Sequence, residues 1–169
     1  MLVGGNPGGG GDAYRSRTHE DSVLYPLLTA LKFASADEVL PAFEAVNEAF
    51  PPLVARWNLW RILSPTLDAA AVRLDDVGYI NMVPYRTRGD RPPPVGVVEN
   101  AWRLVTSELL STLNPGTLIC LGRKAGKMLD RCHDGRARVW CVPRTIGDSY
   151  ISTDAEAVLA SIRASHDLQ

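Results

Sequence analysis

Thr117 to Lys127, TLICLGRKAGK, is the stretch from which the fold can be read. Its first five residues form an unbroken apolar run, too short for a helix and without the alternation of a strand wetted on one side. Such a run suits a strand buried on both faces, as in parallel sheets. Gly122 ends the strand, and Arg123 opens a helix predicted to reach about Arg131. A strand feeding directly into a helix is half of a βαβ unit.

The same alternation continues in both directions. Downstream, Ala137 to Val142 reads as a strand, Pro143 to Ser152 as a loop and Asp154 to Ala164 as a helix. Upstream, Glu99 to Leu113 is amphipathic through Ala101, Trp102, Val105, Leu109 and Leu110, and Asn114-Pro115-Gly116 closes it. Val77 to Val83 is β-rich and precedes the breaker-dense Pro84 to Pro94. Earlier still, helical spacing from about Asp21 (Val23, Leu24, Leu27, Leu28, Leu31) is capped by Asp21 or Ser22. A second helix opens at Asp37, with Val39, Leu40, Phe43, Val46 and Phe50 inward. Pro51-Pro52 separates it from a third carrying Leu53, Val54, Trp57, Trp60, Ile62 and Leu63. These helices are expected to cover one face of the sheet, with Trp57 and Trp60 as core. Leu2 and Val3 supply the first strand. The expectation is an α/β protein, a three-layer αβα sandwich around a mostly parallel sheet of about four strands with right-handed crossovers, forming one domain over residues 1–169.

Composition narrows the class. The chain has 169 residues, 46% of them hydrophobic, and a net charge of -1, which suits a globular domain with a real core rather than a disordered or fibrous chain. No apolar run approaches the roughly 20 residues of a membrane span, so a cytoplasmic protein without a membrane partner is expected, and as a monomer. Cys120, Cys132 and Cys141 lack metal-site spacing and read as reduced thiols; neither a metal nor a cofactor is expected. The overall charge does not favour nucleic acid, but its uneven distribution is compatible with a local basic face as well as with ordinary solvated surface charge. Arg15, Arg17, Arg86, Arg88, Arg91, Arg123, Lys124, Lys127 and Arg144 fall in loops after strands or at helix starts, which share one edge of such a sheet.

The first strand runs into Gly4 to Gly11, GGNPGGGG, where the chain can bring its backbone close to a ligand. On the glycines alone this is equally an ordinary βα turn. Asn6, however, sits at the carboxyl end of the strand, where open α/β sheets bind ligands. The order Gly4-Gly5-Asn6-Pro7-Gly8 resembles the first motif of the uracil-DNA glycosylase superfamily, in its GINPG and GMNPG forms. Two further segments follow in family order. Tyr79 to Pro93, YINMVPYRTRGDRPP, looks like the segment familiar from the thermophilic branches as N-V-V-K-C-R-P-P, and Leu109 to Ala125 resembles their "L-x-P-x-x-I-x-x-L-G" stretch and the helix after it. The resemblance extends from Val3 to about Pro143.

By that resemblance, Asn6 is the catalytic residue that positions the attacking water. Asn81 meets the base edge, an amide offering donor and acceptor side by side. Gly5 lies at the base pocket, and Tyr14 and His19 are both candidates for the ring beneath the flipped base. Arg86, Arg88, Arg123, Lys124, Lys127 and Arg144 contact DNA phosphates, and Ile146 serves as an apolar wedge. The iron-sulfur cluster of the thermophilic branches needs four cysteines, and this chain has three. The third motif departs from the family: its H-P-S or N-P-S falls at Val142-Pro143-Arg144, and Val142 cannot donate to a base oxygen. Arg144, Thr145 or Asp148 is left to replace it. GRKAGK is not a nucleotide phosphate loop, because three residues rather than four separate Gly122 and Gly126.

The reading that results is a monofunctional DNA glycosylase that flips out uracil or a modified pyrimidine and leaves an abasic site. The altered third motif also fits an enzyme for hypermodified phage cytosines, acting in defence rather than repair. A catalytically reduced DNA-binding member of the fold, or a nucleotide-binding Rossmann-like protein, are the alternatives outside glycosylase chemistry.

Overall fold

The computed structural model describes residues 1–5, 19–84 and 91–166, with the side chains of 19–21 left out. Asn6, Tyr14, Arg86 and Arg88 therefore lie outside the described residues, and of His19 only the backbone is described, as the first residue of a helix.

Four strands, β1 (Leu2–Gly4), β2 (Tyr79–Asn81), β3 (Thr117–Leu121) and β4 (Arg138–Val142), form an all-parallel sheet in the order β2-β1-β3-β4. β3 occupies the run expected of it, and buries its last four residues as a strand covered on both faces must. Side-chain alternation divides the core. Leu2, Ile119, Leu121 and Val142 face a layer built from α3 (Trp60–Ala69), α7 (Thr153–His166) and the end of α2 (Val39–Val54). Val3, Leu118 and Cys120 face a layer built from α4 (Val95–Ala101) and α6 (Arg123–Cys132). Two helical layers on a parallel sheet make the α/β sandwich.

The helix expected over Glu99 to Leu113 starts earlier, at Val95. Pro94 has a fixed φ of -56° and accepts the first turn's N–H groups, from Val97 and Val98, on its carbonyl. The helix continues through a π-helical stretch, Trp102–Thr106, into α5 (Ser107–Leu113), which Asn114 ends in a left-handed conformation.

The first two helices depart from expectation. α1 (His19–Phe33) begins at His19, so Asp21 and Ser22 lie within it rather than capping it. α2 runs through Pro51 and Pro52 to Val54: both prolines sit in the last turn, and Leu53 and Val54 belong to this helix, not to the next. Above all, α1 and α2 pack against each other, and of the two only the end of α2 reaches the core over the sheet. Val39, Leu40 and Phe43, expected inward, are exposed along with Tyr25, Leu28 and Phe33, while Val46 and Phe50 are half-buried. The apolar spacing is helical, but the surface it meets is another helix. Trp57 and Trp60 pack against the α3/α7 core as expected. No helix among the described residues is long and apolar enough to cross a membrane.

Candidate functional site

The strand order creates one special position. From β1 the chain crosses to β2 on one side and then returns past β1 to β3 on the other, so the connections diverge between the carboxyl ends of β1 and β3. That switch point is where doubly wound sheets open a crevice. Here it is flanked by Gly4-Gly5 on one side and by Gly122 with the N-terminus of α6 on the other.

Gly122 has φ +102°, a conformation that side chains rarely adopt, and it turns β3 directly into α6. A β-carbon on Gly5 would stand 4.0 Å from the Ala125 amide nitrogen and 4.0 Å from Met128 Sδ, so the end of β1 lies against the first turn of α6. Lys124 and Lys127 are exposed on that helix and make no ion pair among the described residues, whereas Arg123 is paired with Asp154 of α7. Gly126 lets the helix approach the sheet: a β-carbon there would meet Cys141 Sγ at 2.7 Å.

Asn81 ends β2, across β1 from this crevice. Register pairs Gly4 with Asn81, and the ladder continues beyond the strands through Met82 N–H to the Gly4 carbonyl (2.9 Å) and Val83 N–H to the Gly5 carbonyl (3.0 Å). The Asn81 side chain shares the face of Gly4, where its Oδ1 lies 2.3 Å from the place a β-carbon would take, and the Tyr79 hydroxyl lies 2.9 Å from it. Glycine at position 4 thus makes the room that holds an amide and a phenol beside the carboxyl end of β1. Nothing among the described residues hydrogen-bonds the Asn81 amide. Burial raises the Tyr79 hydroxyl above its ordinary pKa, with Arg144 opposing and Asp148 adding to the rise.

The loop after β4 brings a charged pair to the same face. Asp148, 4% exposed, accepts from Arg144 Nε (2.8 Å) and Nη2 (2.5 Å), and its backbone carbonyl accepts from Arg61 Nη1 at 2.9 Å. The Arg144 stem lies over Gly122, its Cδ 3.4 Å from a β-carbon position there. Val142 is fully buried and contributes packing alone. Ile146 stands 97% exposed at the tip of the loop.

The structure therefore sets Gly5 against the first turn of α6, the helix that carries Lys124 and Lys127, whereas Asn81 lies with Gly4 and Tyr79 on the opposite, α3/α7 face of the sheet, and Arg144 lies over Gly122. Arg123 is turned toward α7 and Ile146 projects from the rim. Tyr79 and Arg61 were missed from the sequence: Tyr79 reads as ordinary β-strand, and nothing in the spacing of Arg61 ties it to a loop 87 residues away. A separate depression of about 140 Å³ between Trp102, Asn114, His133 and Arg136 lies at the amino ends of β3 and β4, the edge opposite the switch point. Among the described residues no group of His, Cys, Asp and Glu is placed to hold a metal. Burial pushes the Cys120 thiol up to about 12 and raises Cys132 and Cys141 as well, so none is poised as a nucleophile. Comparison with protein-family models, with curated proteins and with solved structures returned no match to this chain.

Proposed function

We propose that this protein is a monofunctional DNA glycosylase that hydrolyses the N-glycosidic bond of a flipped-out uracil or modified pyrimidine. The observation that carries the reading is the Asn81 amide, held without a hydrogen-bond partner among the described residues over Gly4, one residue before Gly5 leads the chain into Asn6. An unsatisfied amide at the carboxyl edge of the sheet suits a ligand that presents donor and acceptor together, as the edge of a pyrimidine does.

In this reading the base enters at the carboxyl end of β1, on the face that Gly4 and Asn81 share, and pairs with Asn81. Asn6 orients the attacking water, as a neutral amide too weak to act as a strong base. Positive charge grows on the sugar and negative charge on the leaving base as the bond breaks, and preorganised dipoles aimed at both supply most of the rate. With Val142 unable to donate, Arg144 is the donor offered to the leaving base, its guanidinium oriented by the buried Asp148 carboxylate. Lys124 and Lys127, with the N–H groups of the first turn of α6, hold phosphates. The Ile146 wedge fills the stack vacated by the flipped base.

The burial of Val142 favours one other reading, a DNA-binding protein of this architecture that has lost catalysis. Incubation with duplexes and single strands carrying uracil, mismatched thymine, hydroxymethylcytosine or glucosylated cytosine, scored for alkali-labile sites, separates the two. An abasic product from one member supports the glycosylase and names its base. DNA binding with no product from any member supports the second reading.

A further inference from the structure

A groove of about 230 Å³ runs between α4 and α6, beginning next to the switch point. Its floor is apolar, from Val95, Val98, Met128 and Cys132, and Pro92-Pro93 form one wall. The other wall carries Lys124, Lys127 and Arg131, spaced three and four residues apart so that they form one stripe along α6. Glu99 is the one acidic side chain in the lining. Met128 belongs to the floor, and its Sδ stands 4.0 Å from where a β-carbon on Gly5 would sit, so the groove opens against the end of β1.

We infer that this groove is a binding track for a single, unpaired strand of nucleic acid leading into the crevice. The inference rests on the nucleic-acid part of the function proposed above and not on its bond-breaking part. The cation stripe spans about 10 Å of helix, at roughly 1.5 Å per residue. That is close to the rise of three nucleotides of a strand at roughly 3.4 Å each. The cavity is smaller than the roughly 300–1,000 Å³ of drug-sized pockets and fits a single flat ring against aliphatic, proline and thioether surface. Only a base whose faces are free can take that surface; in a duplex the faces are hidden in the stack.

The test is fluorescence anisotropy of the full chain with a labelled twelve-residue oligothymidylate and with a duplex of the same length, over a range of salt. The single strand is expected to bind at least tenfold more tightly than the duplex. The triple variant Lys124→Ala/Lys127→Ala/Arg131→Ala, which changes only exposed side chains, should bind the single strand at least tenfold more weakly. Its log–log salt slope should be shallower by about 2, at roughly 0.7 per phosphate on single strands. Val95→Asp, at a half-exposed position in the groove, should weaken binding severalfold, and Arg163→Ala on α7 should leave it unchanged. Equal or tighter duplex binding, an unchanged triple variant that melts like the parent, or competition by polyglutamate as effective as by unlabelled oligothymidylate would overturn the inference, the last in favour of an acidic protein partner. Oligothymidylate binding through the groove without any abasic product would refute the glycosylase and leave the track standing. Abasic product from the parent, with the groove variants binding and cleaving normally, would do the reverse.

Discussion

Replacing Gly4 with alanine places a methyl group 2.3 Å from Asn81 Oδ1 and 2.9 Å from the Tyr79 hydroxyl, both inside van der Waals contact. The amide is a short side chain with no partner among the described residues, so it rotates away at small cost. Tyr79 is held in the core beside Phe50, 6.1 Å between ring centres, and yields less. Overpacking of this kind costs about 1–3 kcal/mol, offset in part by the ~0.4–1 kcal/mol that Gly→Ala gains from a stiffer unfolded chain. The net loss is about 1–2 kcal/mol, or roughly 2–8 °C in Tm for a chain of this size. Gly5→Ala is the internal control for stability, because its methyl would have 4.0 Å to its nearest neighbours and the residue does not have positive φ. Its Tm should stay within about 2 °C of the parent. If Asn81 meets the base as proposed, Gly4→Ala displaces that amide, and selectivity between the preferred base and its analogues should also fall by about 5- to 150-fold, the equivalent of ~1–3 kcal/mol for a lost bidentate contact. Thermal melts followed by calorimetry, with cleavage rates on two substrates, measure both effects. Equal melting of the two variants would refute the packing argument, and unchanged selectivity in Gly4→Ala would refute the base contact proposed for Asn81.

Other outcomes follow from the same geometry. Arg144→Met strands the buried Asp148 carboxylate; breaking a buried pair costs about 3–5 kcal/mol, and because Arg144 is itself 37% exposed, denaturant melts should show about 2–3 kcal/mol. Adding Asp148→Asn should recover part of that loss, so an additive double-mutant cycle would contradict the coupling. Gly126→Ala should destabilise through contact with Cys141 Sγ, and Cys141→Ala in the same chain should restore stability; melts of all three variants check this. Because burial raises all three thiols, their thiolate fractions are small near neutrality. Labelling of the native chain by a thiol reagent should therefore be slow at pH 7 and accelerate as pH rises, with Cys120 reacting last. Fast labelling of Cys120 at pH 7 in the folded protein would contradict its burial.

The elements most legible in the sequence were those whose apolar pattern is bounded by residues with a backbone reason to stop. Thr117 to Leu121 ends at a position whose positive φ suits glycine and few other residues, and β3 and α6 form there as expected. The α1–α2 pair shows the limit. Periodicity reports that a helix has an apolar face, but not which surface covers it, and here α1 and α2 face each other. Pro51-Pro52 reads as a boundary because proline breaks helix interiors, yet the helix runs two residues past it, to Val54, and ends within that turn. In the site, Asn81 was legible because it ends a strand. The Arg144–Asp148 pair was visible only as nearby polar residues, since nothing local shows that Asp148 turns inward at φ +51°. Arg131 completes a stripe already visible in Lys124 and Lys127, and the four-residue step to it was the available signal.

The central claim is that Asn6 and Asn81 serve one bond cleavage, the first through water and the second through the base. The direct measurement is single-turnover formation of abasic sites, on whichever modified base the parent cleaves, by the parent, Asn6→Ala and Asn81→Ala, each with its DNA affinity measured alongside. The account predicts that Asn6→Ala binds DNA like the parent but loses at least a hundredfold in the cleavage step, a barrier rise of about 2.7 kcal/mol, while Asn81→Ala cleaves slowly and discriminates poorly between bases. Abasic sites formed at the parental rate by Asn6→Ala, or none formed by the parent on any base, would contradict it.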